Sequence, residues 1–191
     1  FYDLNAKLNY KINDNNSLYI SSYFGRDFFN ISEEFENTYG NSTFNLRWNH
    51  LFSDRHFSNL SAIFSDYYYG LTFSSVGFDW QSSIKNFNLK YDLKYYWNDK
   101  IKLNYGLNSI YYKFNPGTIK PVDENSSINF NQLDKKNAFE PSVYMEAEHQ
   151  ANSKLSFLYG LRFSLFYRLG ASAVNLYENN QAVTFNDQLK I

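Results

Sequence analysis

The chain has 191 residues, 18 basic and 19 acidic side chains for a net charge of −1, and no cysteine. Near-neutrality offers no basic field for nucleic acid, and the missing thiols rule out a disulfide scaffold, a cysteine nucleophile and a cysteine metal site. Aromatic residues make up 21% of the chain, with Tyr 18 and Phe 19, yet no run approaches the roughly 18 apolar residues of a membrane helix.

The apolar residues alternate instead. Leu4, Ala6, Leu8, Tyr10 and Ile12 face one way, and Asp3, Asn5, Lys7, Asn9 and Lys11 the other, the period of a β-strand with one greasy and one wet face. Asn13-Asp14-Asn15-Asn16 is turn chemistry, because Asn and Asp bond their own backbone and tolerate left-handed conformations. A second strand sets Leu18, Ile20, Ser22 and Phe24 opposite Tyr19, Ser21, Tyr23 and Gly25. A third sets Phe44, Leu46, Trp48, His50 and Phe52 opposite Asn45, Arg47 and Asn49. After Ser53-Asp54-Arg55, a fourth places Leu60, Ala62 and Phe64 on the apolar side, with Ile63 an exception on the wet side. The fifth is the cleanest: Phe87, Leu89, Tyr91, Leu93 and Tyr95 against Asn88, Lys90, Asp92 and Lys94. A sixth runs from Ile101 through Leu103, Tyr105, Leu107 and Tyr111. The seventh has Phe139, Val143, Met145 and Ala147 against Glu140, Ser142, Tyr144, Glu146 and Glu148. The eighth has Leu155, Phe157, Tyr159, Leu161, Phe163 and Leu165 against Ser156, Gly160, Arg162 and Ser164.

Connections alternate between short (Asn13–Ser17, Ser53–His56, Asn98–Lys100, Gln150–Ser153) and long (Asp27–Ser42, Leu71–Ser82, Asn115–Lys136, Leu169 onward). Short turns at one rim, long loops at the other and strands of about ten residues predict an all-β fold, a transmembrane antiparallel barrel wall of about eight strands. Ten residues at about 3.3 Å, tilted about 40°, give roughly 25 Å, the height of the apolar band of such walls. Tyr67, Tyr68, Tyr69, Tyr111 and Tyr112 are then expected in an aromatic girdle at the long-loop interface, with Tyr10 and Trp97 at the other. Lys90, Asp92, Lys94, Glu140, Glu146, Glu148 and Arg162 are expected to line the lumen. Matching like faces across hairpins pairs Leu93 with Tyr105 and Tyr91 with Leu107. It also pairs Val143 with Tyr159, Met145 with Phe157, Glu140 with Arg162 and Glu148 with Lys154.

An eight-strand sheet left open in lipid would carry two unpaired edges, where each unsatisfied backbone group costs several kcal/mol. Residues 1–191 are therefore expected to be one partial barrel domain, with further strands elsewhere. The first residue is Phe1 and no leader sequence is evident, so either a mature protein or a fragment is expected.

Four stretches carry a family resemblance: Phe44 to Phe52 (FNLRWNHLF), Leu60 to Leu71, Asn104 to Gly117 (NYGLNSIYYKFNPG) and Gly160 to Asn175 (GLRFSLFYRLGASAVN). They resemble wall strands of TonB-dependent outer-membrane receptors of the Bacteroidetes type. The resemblance implies part of a barrel of about 22 strands in the outer membrane of a Gram-negative bacterium, with a plug domain absent from this sequence. It further implies energised import of a siderophore, glycan or peptide, driven by TonB–ExbB–ExbD acting through regions not in this sequence. Outer-membrane lipid, lipopolysaccharide and a surface lipoprotein are the other expected partners. The wall sequence equally suits a non-transporting scaffold or assembly subunit, because it reports lipid and not cargo. A soluble β-sandwich is the remaining rival fold.

Other candidate sites favour bland readings. Asn13 to Asn16 lack the spaced acids and closing Glu of a calcium loop. His50, His56 and His149 fall on different hairpins without zinc-ligand spacing. Glu33, Glu34 and Glu36, and likewise Asp123 and Glu124, read as solvated loop charges. With no nucleophile elbow and no phosphate loop, no catalytic residue, cofactor or metal is expected, and an outer-membrane hydrolase ranks low.

Overall fold

The computed structural model describes residues 1–31, 34–124 and 126–170. Ten strands form one antiparallel sheet: β1 (Tyr2–Asn13), β2 (Asn16–Asn30), β3 (Phe35–Ser53), β4 (His56–Phe73), β5 (Phe78–Asn98), β6 (Ile101–Pro121), β7 (Asn131–Gln132), β8 (Lys136–Asn152), β9 (Leu155–Ser164) and β10 (Tyr167–Leu169). From β1 to β6 each strand pairs with the next; β7 folds back onto β6 alone, β6 pairs directly with β8, and β9 and β10 both pair with β8. β9 and β10 form one line along β8, since Ser164 faces Ser142 and Tyr167 faces Phe139 in the same register. Pro141 lies opposite the break. Its carbonyl accepts from Leu165 N at 3.0 Å, so its missing N–H points at that same neighbour and removes one rung. The result is a meander of eight lines that does not close: β1 does not pair with β9 or β10.

The four short turns are built alike. Asn13 Oδ1 accepts from Asn15 N (3.0 Å), Ser53 Oγ from Arg55 N (3.4 Å), Asn98 Oδ1 from Lys100 N (2.9 Å) and Asn152 Oδ1 from Lys154 N (2.9 Å). Each closes a two-residue turn, preceded by a register shift at Ile12, Phe52, Trp97 or Ala151. Adjacent turns are laced together: Leu51 N donates to Asn15 O, Tyr96 N to Arg55 O and Gln150 N to Lys100 O. In the first turn Lys11 Nζ sits 2.6 Å from Asp14 Oδ1, and that hydrogen bond and charge hold the Asp14 carboxyl below its usual pKa. Asn98 accepts from Ile101 N as well (2.9 Å). Asn98→Ala is expected to lower the unfolding free energy by about 1 kcal/mol, whereas Asn98→Asp, which keeps the acceptor, should unfold at nearly the wild-type urea midpoint.

Two expectations need correction. The strands are much longer than ten residues: β3 has 19, β4 has 18, and β5 and β6 have 21 each. Most of Asp27–Ser42 and Leu71–Ser82 is strand, with pairing as far as Asn30↔Glu36 and Phe73↔Phe78. Asn, Ser, Thr and Gly complete a backbone ladder without the apolar alternation that marks a strand in sequence. What joins β4 to β5 is one 3-10 turn, Ser74–Val76, ended by Gly77 at φ 68, a left-handed conformation that suits glycine. The second correction is the last hairpin. Val143 faces Phe163 and Met145 faces Leu161, four residues from the expected partners. The turn is Ser153-Lys154 and not Gln150–Ser153, and because the offset of four residues is even, the faces do not exchange. Glu148 accordingly meets Lys102 and not Lys154, and Arg162 lies opposite Tyr144 and not Glu140. For β5 and β6 the expected pairs, Leu93↔Tyr105 and Tyr91↔Leu107, are the observed ones.

Candidate functional site

Antiparallel pairing sorts side chains into two faces, and rows across the sheet can be followed strand by strand. One face carries Trp48, Leu60, Tyr91, Leu107, Val143 and Phe163 in a single row, with Leu46, Ala62 and Leu89 in the next. Leu89, Leu107, Val143 and Met145 are 55, 56, 50 and 53% exposed. Among the described residues nothing packs over this face, and a contiguous apolar surface of that extent marks a contact with lipid or protein.

At the short-turn end this face closes in a chain of rings: Trp48–His50 (5.4 Å), His50–Phe52 (4.5 Å), Phe52–His56 (4.9 Å), His56–Tyr95 (5.6 Å) and Tyr95–Trp97 (6.2 Å). His50 Nδ1 lies 2.8 Å from Asn16 Oδ1, and His56 Nε2 lies 3.0 Å from the Tyr105 hydroxyl. Two of the three histidines are thus members of an aromatic belt. No cluster of three metal-ligating residues occurs among the described residues. Tyr10 shares the row of Leu18 and Trp48 at this end.

The opposite face is polar and crowded. Ser61, Asn108 and Ser142 are buried there in one row with Arg47 and Lys90. Lys90, Asp92, Lys94, Glu140, Glu146, Glu148 and Arg162 all share this face. Lys90 Nζ is 2.9 Å from Asp92 Oδ1, and Lys102 Nζ is 3.1 Å from Glu148 Oε1. Asn104 donates to Glu146 (3.0 Å), Tyr112 to Glu140 (2.9 Å) and Arg162 to Ser142 (2.8 Å), while Lys94 lies between Phe57 and Asn104 in the ladder. The centre is Tyr144. Its hydroxyl donates to Asp92, two strands away, because the residue between them is Gly106. With no Cβ at Gly106 the ring lies across β6, and Lys90 and Arg162 flank it at 5.8 and 5.7 Å. This three-strand bridge could not be found from sequence, since it needs the register of both hairpins.

Toward the long-connection end the two faces exchange character. The last apolar row reads Phe44, Phe64, Phe87, Tyr111 and Phe139; the next row on the same face reads Ser42, Asp66, Lys85, Lys113 and Asn137. On the other face rings take over. Tyr67 and Tyr69 point there, and Tyr69 meets Trp80 edge-on at 5.6 Å and accepts from Asn37 Nδ2 at 2.8 Å. Of the five tyrosines expected at this interface, only Tyr111 lies in the ring row. Tyr112 shares the polar face with Tyr67 and Tyr69, and Tyr68 lies beyond the charged row, over Gly40. A cavity of about 420 Å³ opens there beside Arg26, Glu36, Asp66, Asp79 and Lys85. Glu36 accepts from Thr38 Oγ1 at 3.0 Å. Glu33 and the final residues 171–191, which include the end of the Gly160–Asn175 stretch and nearly all of the last expected loop, lie outside the described residues.

Sheet order, long pleated strands and the apolar rows between the two sets of rings define an open antiparallel meander with one largely apolar face. Its backbone is similar to the crystal structure of BauA, the ferric preacinetobactin receptor from Acinetobacter baumannii, with a TM-score of 0.63 over 86% of this chain. The chain spans about a third of that receptor (33%), and at 13% identity the likeness speaks to the fold alone. No family model and no curated protein matches the sequence. Among the described residues no helix is long and apolar enough to cross a membrane, a criterion that does not bear on strands.

Proposed function

We propose that the meander is part of the wall of an outer-membrane β-barrel that imports a scarce nutrient, a siderophore, glycan or peptide, energised through TonB–ExbB–ExbD. The observation that carries this reading is the uncovered apolar face, bounded by rings at both ends. On β5 it runs from Phe87 to Trp97, and ten steps of about 3.3 Å tilted about 40° span roughly 25 Å, the apolar height of such barrels. The fold likeness to a ferric preacinetobactin receptor adds support. Hydrocarbon then lies against Leu89 and Leu107, and the lumen is lined by the charged network around Tyr144. The free edges of β1 and of β9 and β10 pair with further strands, because open edges are not tolerated in lipid. Lipopolysaccharide surrounds the wall, a surface lipoprotein covers its loops, and no catalytic step is assigned to it. The location is the outer membrane of a Gram-negative bacterium of the Bacteroidetes type.

Uptake tests this reading. Cells with and without the gene are supplied with a panel of iron chelates, glycans and peptides, before and after a protonophore. Loss of uptake of one cargo on deletion, and equal loss on collapsing the proton gradient, is the expected result. Unchanged uptake of every cargo would favour the scaffold role.

A further inference from the structure

Lys85 and Lys113 are direct cross-strand partners on β5 and β6. Like charges placed opposite each other destabilise a sheet unless something neutralises them. Only one of them has an acid in contact: Lys85 Nζ is 2.9 Å from Asp66 Oδ2. Lys113 leans over the ring row instead, its Nζ 5.5 Å from the Phe87 centroid and 5.9 Å from that of Tyr111. The pair stands in the first row beyond the apolar band, where a long cationic side chain keeps its stem on apolar surface and its ammonium in the polar layer. The row has two cations to one acid, and exposed Arg26 lies on the same face one row further out. The acids of that face, Glu36 and Asp79, are six residues further along their strands, roughly 20 Å at about 3.3 Å per residue. There they accept from Thr38, Thr72 and Gln81. Positive charge therefore collects at the edge of the apolar band and negative charge stands away from it.

We propose that Lys85 and Lys113 bind the phosphate of a membrane-lipid headgroup whose acyl chains lie along Phe64, Phe87 and Tyr111. The inference rests on the apolar face being lipid-facing. A phosphate between the two ammonium groups relieves their repulsion, and the rings below select a phosphate that carries hydrocarbon over a free one.

The test is lipid retention by the intact protein, measured by native mass spectrometry in a mild detergent. The probes are phosphatidic acid, phosphatidylcholine, diacylglycerol and inorganic phosphate. Phosphatidic acid should be retained preferentially, and millimolar inorganic phosphate should not displace it. Lys113→Gln should lower its retention about fivefold, the factor one lysine near an anionic headgroup contributes. Asp66→Asn should raise retention, since it removes the competing acid, and Lys94→Gln on the other face should leave it unchanged. Equal retention by Lys113→Gln and wild type overturns the proposal. So does a loss in Asp66→Asn, which would make the Lys85–Asp66 contact a structural pair, and so does displacement by inorganic phosphate. If diacylglycerol is retained as well as phosphatidic acid, this site alone is wrong. If no lipid is retained and heating does not change gel mobility, the lipid-facing assignment falls with it.

Discussion

Leu89→Arg should destabilise the folded wall by about 1–3 kcal/mol, less than the full midplane penalty for a cation because Leu89 lies one row inside the ring row. Leu89 sits between Ala62 and Ser109 in the apolar rows, two rungs inside the ring row, and is 55% exposed. No acid lies in the adjoining rungs of its face, so the guanidinium has to reach past the ring row to the polar layer. Lys90→Leu, one residue along, should be far milder. Lys90 loses a contact to Asp92 between groups that are 38 and 31% exposed, worth well under about 1 kcal/mol. Heat-modifiable gel migration and urea midpoints in vesicles read both. A Lys90→Leu loss larger than that of Leu89→Arg would mean that the faces are inverted.

Gly106→Ala is expected to cost about 1–3 kcal/mol through overpacking. A Cβ at Gly106 would lie 2.3 Å from the Tyr91 carbonyl oxygen and 2.7 Å from the Tyr144 hydroxyl, so backbone and ring must both move. The Tyr144–Asp92 hydrogen bond across β6 is then lost. In a Tyr144→Ala background the penalty should shrink without vanishing, because the Tyr91 carbonyl remains. Additive losses in the double variant would show that Tyr144 does not occupy the space above Gly106. Elsewhere on this face a Cβ at Gly160 would lie 2.7 Å from the Met145 carbonyl oxygen, a second place where a strand approaches too closely for a side chain.

The lower part of this sheet was legible because two independent signals coincide there. Alternation from Phe87 to Tyr95 fixes the faces, and Asn98-Asp99-Lys100 fixes the turn, so the β5–β6 register follows from sequence. The β8–β9 register did not follow, because Gln150 and Asn152 both resemble turn residues and the alternation does not say which of them closes the hairpin. The upper sheet was illegible for a different reason. The faces exchange polarity beyond Phe64 and Phe87, so Tyr67-Tyr68-Tyr69 shows rings on both sides and no period at all. Sequence reasoning therefore placed three tyrosines in one girdle that the pairing distributes over two faces. The seven charged residues expected on the polar face do share it, since parity alone decides a face; their partners required registers that parity does not supply.

The most direct measurement places a nitroxide in turn at Leu89, Leu107 and Val143, and at Lys90 and Lys94, in the protein folded into vesicles. Collision rates with oxygen, which concentrates in hydrocarbon, and with a water-soluble nickel chelate are then compared. The account predicts high oxygen and low nickel accessibility at positions 89, 107 and 143, and the reverse at 90 and 94. Low accessibility to both reagents at 89, 107 and 143 would mean that protein covers the apolar stripe, and the membrane assignment would be wrong.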